Sequence, residues 1–232
     1  MLEIVRDNWL LFLIGQYPHG PVGGLAATLI LALLGLLLSF PLAIAMALAR
    51  ISSFRRLRQA TAVLIAVVRG TPFLMVIFWA YFAVPALIGR PIDGFTTFVV
   101  ALVIYESTYL AEVIRGGIEA LPKGQTEAAR SLGIGYFTMM YTVILPQALY
   151  NVIPGMVTQF VSIIKETSLA YIISVPELTF AASQVNMTLL VRPIEVFTLL
   201  AATYFILCFA LSQLARLLER RIALRRSELA TA

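Results

Sequence analysis

Long apolar stretches dominate the chain, and the short segments between them collect most of the charged residues. A helix needs about 20 mostly apolar residues to cross the roughly 30 Å hydrocarbon layer of a membrane. Five stretches have this character, at residues 24–49, 57–87, 95–117, 137–164 and 194–218. The pattern therefore predicts an all-α, polytopic membrane protein with about five transmembrane helices, four and six being the alternatives.

The segments around these stretches suggest a division of the chain. Residues 1–20 mix acidic and basic side chains before a short apolar run, which predicts an interfacial helix and a loop. Residues 21–222 are predicted to form the membrane domain, and 223–232 a cytoplasmic tail. Within the second stretch, Pro72 removes a backbone donor and clashes with the preceding turn, so a break is expected there. The less apolar segment 166–192 can dip into the membrane without crossing it.

Composition supports a membrane protein and excludes a water-soluble domain. Hydrophobic residues make up 60% of the chain and charged residues 12%, and the mean hydropathy is +0.92, whereas a soluble domain carries about 25% charge. The net charge of +5 would raise the question of nucleic acid in a soluble protein. Here the basic residues flank the apolar stretches, so lipid is the expected partner and nucleic acid is not.

The positions of the basic residues predict the orientation of the chain, because short cytoplasmic loops collect Lys and Arg. Such residues follow the first, third and fifth stretches: Arg50, Arg55, Arg56, Arg58, Lys123, Arg130, Arg216, Arg220, Arg221, Arg225 and Arg226. The opposite loops contain mainly Arg6, Arg90 and Arg192. This imbalance places the N-terminus outside and the C-terminus in the cytoplasm.

One carboxylate lies inside an apolar stretch. Glu106 falls about 11 residues into the third stretch, near mid-membrane at roughly 1.5 Å per residue. A charge there costs at least about 2.5 to 3.5 kcal/mol, so it usually faces a cavity or a partner. With Thr108 and Tyr109 nearby, Glu106 is a candidate for lining a substrate pathway. The alternative is a structural carboxylate paired with another span, for example through Arg69.

Two further polar clusters lie at the ends of the stretches. Glu112 and Arg115 are three residues apart, and an ion pair within the helix is the favoured interpretation. The second cluster ends the fourth stretch and fits an outer gate of the pathway or a helix-terminus cap equally well: Lys165, Glu166, Thr167 and Ser168.

The segment 119–136 predicts a short cytoplasmic helix parallel to the membrane. Pro122 suits the start of a helix, Glu127 falls where the helix dipole favours negative charge, and Gly133 suits its end. Small residues such as Ala128 would let the surface of another protein come close. From these residues alone, a helix that docks a partner and an ordinary surface helix are equally compatible with the sequence.

Several motifs in this order resemble a known family. Glu-Ala-Ala at 127–129, Gly133 and Val-Ile-Leu-Pro at 143–146 resemble the EAA loop of permease subunits of bacterial ATP-binding-cassette importers. The family more often has isoleucine at position 143. Further segments resemble the histidine, glutamine and glutamate permease branch, with Lys-Asp more usual than Lys-Glu at 165–166: residues 69–72, 109–118, 145–148 and 165–169.

The resemblance implies a type I permease that lies in the bacterial inner membrane and moves a polar amino acid into the cytoplasm. It implies that Glu127, Ala128, Ala129 and Gly133 dock an ATPase subunit, which binds ATP and Mg. Two permease chains would pair, as a homodimer or a heterodimer, and a periplasmic or lipid-anchored amino-acid-binding protein would deliver the substrate.

The residues agree with that division of labour. The sequence contains no phosphate-binding Gly-x-x-x-x-Gly-Lys-Ser/Thr loop, zinc motif or Gly-x-Ser-x-Gly nucleophile turn. We therefore expect no cofactor or metal in this chain and no enzymatic activity of its own. The competing interpretations are a stand-alone ion-coupled carrier or channel and, less favoured, a membrane enzyme.

Overall fold

The computed structural model describes the backbone of residues 1–231 and the side chains of residues 1–222. The regular elements in this part of the chain are helical, apart from two isolated β-bridges. The eleven α-helices are α1 Leu2–Ile14, α2 Gly24–Ile51, α3 Arg55–Gly70, α4 Phe73–Phe78, α5 Val84–Ile88, α6 Gly94–Glu119, α7 Lys123–Ser131, α8 Tyr136–Met139, α9 Leu145–Thr167, α10 Leu178–Leu189 and α11 Pro193–Thr231. The predicted tail 223–232 begins within α11, and its side chains lie outside the described residues.

The apolar stretches coincide with these helices. Among the described residues, three helices are long and apolar enough to cross a membrane, namely α2, α6 and α11 over Pro193–Ile222. The second predicted span is the pair α3 and α4–α5, broken between Gly70 and Phe73, where the proline predicted a break. The fourth corresponds to α8–α9 and does not reach the same apolarity, because α9 carries polar residues along its length.

Two π-helical turns interrupt the helices, at Trp79–Ala83 and Met140–Ile144. In each case the residue after the turn donates its N–H five residues back: Val84 to Trp79 O, and Leu145 to Met140 O. Each turn is followed, one residue later, by a proline. Because proline has no N–H, a local change of hydrogen-bond register costs little there.

By their contacts, the residues form two compact units. The first unit comprises Met1–Leu38, Thr71–Glu106 and Phe160–Leu211. In its core α1 packs on α10 and the start of α11, through Ile4, Ala182, Val185 and Val196. Elsewhere in this unit α2 lies close to α6, and a Cβ on Gly35 would be 2.6 Å from Leu102 Cδ2.

The second unit comprises Ser39–Gly70, Ser107–Gln159 and Ser212–Ala232. One core cluster in it joins α7 to α8 and the π-turn that follows, through Ala129, Met139, Met140 and Ile144. The second unit therefore holds a short helix where the sequence predicts one, packed against the start of a longer helix.

A buried carboxylate organises the start of α10 in the first unit. Glu177 is fully buried and accepts hydrogen bonds from Thr179 N at 2.8 Å and Phe180 N at 2.9 Å. The Tyr204 hydroxyl on α11 donates to the same carboxylate at 3.0 Å. Glu177 thus caps α10 and ties it to α11.

Candidate functional site: a carboxyl pair and a docking helix

Two carboxyl groups meet in the first unit. The Glu106 side chain is fully buried on α6, and the Glu166 side chain at the end of α9 is close enough to interact with it. Within the described residues, Glu166 Oε2 is also buried without a hydrogen-bond donor. The pair is therefore suited to a cationic or hydrogen-bond-donating group.

The other polar residues of this cluster end α9. The Thr167 hydroxyl donates to Ile164 O at 2.7 Å, and the Ser168 hydroxyl donates to Lys165 O at 2.6 Å. Both bonds satisfy carbonyls of the last helical turn. Lys165 itself is exposed and Glu166 is half-buried.

The second unit holds the remaining residues proposed for the pathway. Thr108 is buried, whereas Tyr109 is half-buried. The guanidinium carbon of Arg69 lies 4.7 Å from the centre of the Tyr109 ring, a cation–π geometry. Arg69 is thus an exposed cation at the break that follows α3.

The short helix α7 matches the predicted docking helix in its limits. It begins after Pro122 and ends at Ser131, and Gly133, two residues further on, has φ +71°. Gly133 N donates to Arg130 O at 2.9 Å and Ile134 N donates to Ala129 O at 3.1 Å. These two bonds form a Schellman motif, which needs a left-handed residue and so favours glycine at 133.

The Glu-Ala-Ala sequence divides between the surface and the core. Glu127 and Ala128 are exposed on α7, and Gly133 is exposed beyond it. Ala129 is only 4% exposed and packs with Met140 and Ile144 of the second π-turn. Ala129 therefore anchors α7 in the second unit, and Glu127 and Ala128 are the members of the motif that a partner can touch.

In the second unit, a charged network joins the C-terminal parts of α2 and α6. Arg115 donates to Glu112 at 2.8 Å and also pairs with Glu119, which confirms the predicted pair within α6. In addition, Arg50 Nε of α2 lies 3.1 Å from Glu112 Oε1. The sequence analysis did not predict that Arg50 pairs with Glu112, because the two residues are 62 positions apart and no helical spacing relates them.

Glu177 was missed for a similar reason, since Tyr204 lies 27 residues further along the chain. A local signal did exist, because an acidic residue after Pro176 and before an apolar run is typical of a helix cap.

Among the described residues, no group of three His, Cys, Asp or Glu side chains could hold a metal ion.

The amino-acid sequence is similar to those of curated permease proteins. The chain is 38% identical over 200 residues to the probable glutamine ABC transporter permease protein GlnP of Bacillus subtilis, covering 85% of this chain and 91% of that protein. It is 39% identical over 203 residues to the inner membrane amino-acid ABC transporter permease protein YhdY of Escherichia coli. That match covers 86% of this chain and 55% of the length of YhdY.

Solved structures of ABC transporters also match the fold of this chain. A crystal structure of an amino acid ABC transporter with histidines matches with a TM-score of 0.80 at 33% identity, over 95% of this chain and 97% of the other. The MetNI methionine ABC transporter in an inward-facing conformation shares the fold, with a TM-score of 0.62 at 16% identity, over 93% of this chain and 95% of the other. Residues 39–224 match the family model of the binding-protein-dependent transport system inner membrane component. The chain belongs to this family and is a transport permease of the ATP-binding-cassette type.

Proposed function

We propose that this permease moves a polar amino acid into the cytoplasm, driven by a separate ATPase that docks on α7. The observation that carries the proposal is the geometry of that helix. It is closed by a Schellman motif, anchored through Ala129, and presents Glu127 and Ala128 to a partner. A rigidly held helix can transmit a movement of the partner into the second unit.

The substrate class follows from the carboxyl pair. Glu106 and Glu166 offer oxygens in a buried setting, where a charge-assisted hydrogen bond is strong. The ammonium group of an amino acid, or a basic side chain, satisfies them. Thr108, Tyr109, Lys165, Thr167 and Ser168 complete the proposed pathway.

The assembly contains two permease chains, two ATPase subunits that bind ATP and Mg, and an extracytoplasmic amino-acid-binding protein. Hydrolysis takes place on the partner chains. The permease lies in the bacterial inner membrane with its N-terminus outside and its C-terminus in the cytoplasm, as the positions of its Lys and Arg residues favour.

Reconstitution tests this proposal. The permease is purified with its ATPase, placed in vesicles, and supplied with ATP, the binding protein and labelled glutamine, glutamate, histidine or arginine. We expect uptake of at least one of them only with ATP. Uptake by the permease alone and without ATP would instead establish the stand-alone carrier.

The docking surface is tested separately by Glu127→Lys. We expect the ATPase to be lost on co-purification while the permease remains folded, because the substitution reverses an exposed charge on α7. Exposed Arg130→Glu reverses a charge on the same helix and serves as the matched control. Full retention of the ATPase by Glu127→Lys would contradict docking through this residue.

A further inference from the structure

Gln147 lies on the first turn of α9, immediately after the second π-turn and Pro146. Its side-chain Nε2 donates to Val143 O at 2.8 Å. Val143 belongs to the π-turn, in which the hydrogen bonds run five residues back instead of four. Gln147 therefore supplies a side-chain donor at the point where the backbone pattern changes.

The same Nε2 approaches the short helix α7. It lies 3.4 Å from Oε1 of Gln125, in the first turn of that helix. An amide nitrogen carries two N–H groups, so Gln147 can donate to both oxygens at once. Because a carbonyl only accepts, the bond to Val143 O fixes which end of the Gln147 amide faces it.

Helix α7 thus touches the π-turn in two ways. Ala129 packs on Met140 and Ile144, an apolar contact without direction. The bridge from Gln125 to Gln147 is a directional contact on an exposed side. An apolar contact lets two elements slide over each other, whereas a hydrogen bond also fixes their register.

We propose that Gln147 is a positioning residue that couples the movement of α7 to the π-turn at the start of α9, an inference that rests on the proposed docking of the ATPase on α7. A π-turn can change its hydrogen-bond register locally. With the bridge in place, a displacement of α7 moves the π-turn with it. Without the bridge, the connection 132–135 absorbs part of that displacement.

The test measures amino-acid uptake per ATP hydrolysed, in vesicles containing the complete transporter, together with the amount of ATPase that co-purifies. Gln147→Leu removes the donors at similar volume, and Gln147→Glu replaces them with acceptors. For both we expect uptake per ATP to fall about five-fold, the effect of one net hydrogen bond. The ATPase is expected to remain bound, because Gln147 is not on the docking surface.

Three further variants sharpen the test. Gln125→Ala removes only the bridge and is expected to lower the ratio in the same direction. Gln147→Lys keeps N–H donors and is expected to retain most of it. Thr142→Val is the control, because the Thr142 hydroxyl lies in the same π-turn but bonds to Thr138 O, at 2.7 Å.

Unchanged uptake per ATP in Gln147→Leu and Gln147→Glu would overturn the inference. A parallel loss of uptake and hydrolysis, with their ratio preserved, would also overturn it, because that result indicates a structural role. If Gln147→Leu does not assemble, exposed Gln125→Ala decides between the two outcomes. Failure of the wild-type transporter to take up any amino acid would instead refute the proposed function, and the inference with it.

Discussion

Arg50 of α2 donates from Nε to Glu112 of α6 at 3.1 Å, and Arg115 binds the other oxygen of the same carboxylate. The side chains are only 23%, 18% and 27% exposed for Arg50, Glu112 and Arg115. One carboxylate therefore holds two guanidinium groups where the second-unit parts of α2 and α6 meet. Loss of the shared carboxylate would leave two partly buried cations without their anion, which costs more than the loss of an exposed ion pair.

Glu112→Gln is accordingly expected to lower the stability of the permease by about 1.5 to 3 kcal/mol, because two partly buried cations lose their anion. The measurement is thermal unfolding in detergent. Glu119→Gln is the matched control, since Glu119 also pairs with Arg115 but its side chain is 55% exposed. If the two substitutions lowered the stability equally, the contact of Glu112 with Arg50 would add nothing to the stability beyond an exposed ion pair.

We predict that transport depends on the carboxyl pair Glu106 and Glu166. Glu106→Gln and Glu166→Gln each replace a carboxyl group with an amide of nearly the same volume, and we expect about a ten-fold loss of uptake from a missing charge-assisted hydrogen bond. Assembly with the ATPase is expected to persist. Glu119→Gln removes a charge from the exposed end of the same helix as Glu106 and controls for charge alone. Normal uptake in both variants would remove the carboxyl pair from the pathway.

Local signals in the sequence predicted the features that depend on neighbouring residues. Pro122 and Gly133 predicted the limits of α7, and the spacing of Glu112 and Arg115 predicted their pair. Pro72 predicted the break after α3. Each of these features depends on a cap, a missing donor or a helical turn, all of which are set within a few residues.

Contacts between distant segments escaped the sequence analysis. Glu106 was singled out as a carboxylate within an apolar stretch, but its proximity to Glu166, sixty positions away, depends on how α6 and α9 pack. The π-turn before Pro146 was also missed, because a proline does not specify whether a helix breaks, kinks or widens by one residue. The division of Ala128 and Ala129 between surface and core depends on which face of α7 meets Met140.

The end of α7 gives a prediction about glycine. Gly133→Ala forces a side chain into a conformation with φ +71° and is expected to destabilise the end of the helix by about 1 to 2 kcal/mol. Gly135→Ala is the control, because Gly135 has φ −63° and no atom within 4 Å of an added Cβ. Hydrogen exchange at the amides of 129–134 measures the difference. Equal exchange in the two variants would contradict the need for a left-handed residue.

The two alanines of α7 are predicted to respond differently to the same enlargement. Ala129→Leu overfills the cluster around Met140 and is expected to destabilise the permease by about 1 to 3 kcal/mol. Ala128→Leu projects from the exposed face, and we expect normal thermal unfolding but reduced co-purification of the ATPase. Destabilisation by Ala128→Leu, or none by Ala129→Leu, would contradict the assignment of the two faces.

The cap of α10 gives the last prediction. Tyr204→Phe removes the hydroxyl that donates to Glu177 at 3.0 Å, while the donors Thr179 N and Phe180 N remain. A buried carboxylate that loses one of its three donors is poorly compensated, so we expect a loss of about 1 to 3 kcal/mol in thermal unfolding. Tyr171→Phe, at a tyrosine that is 41% exposed, is the control. Because the hydroxyl ties α10 to α11, faster hydrogen exchange at the start of α10 is expected to accompany the loss, and unchanged exchange there would show that the backbone donors alone hold the cap.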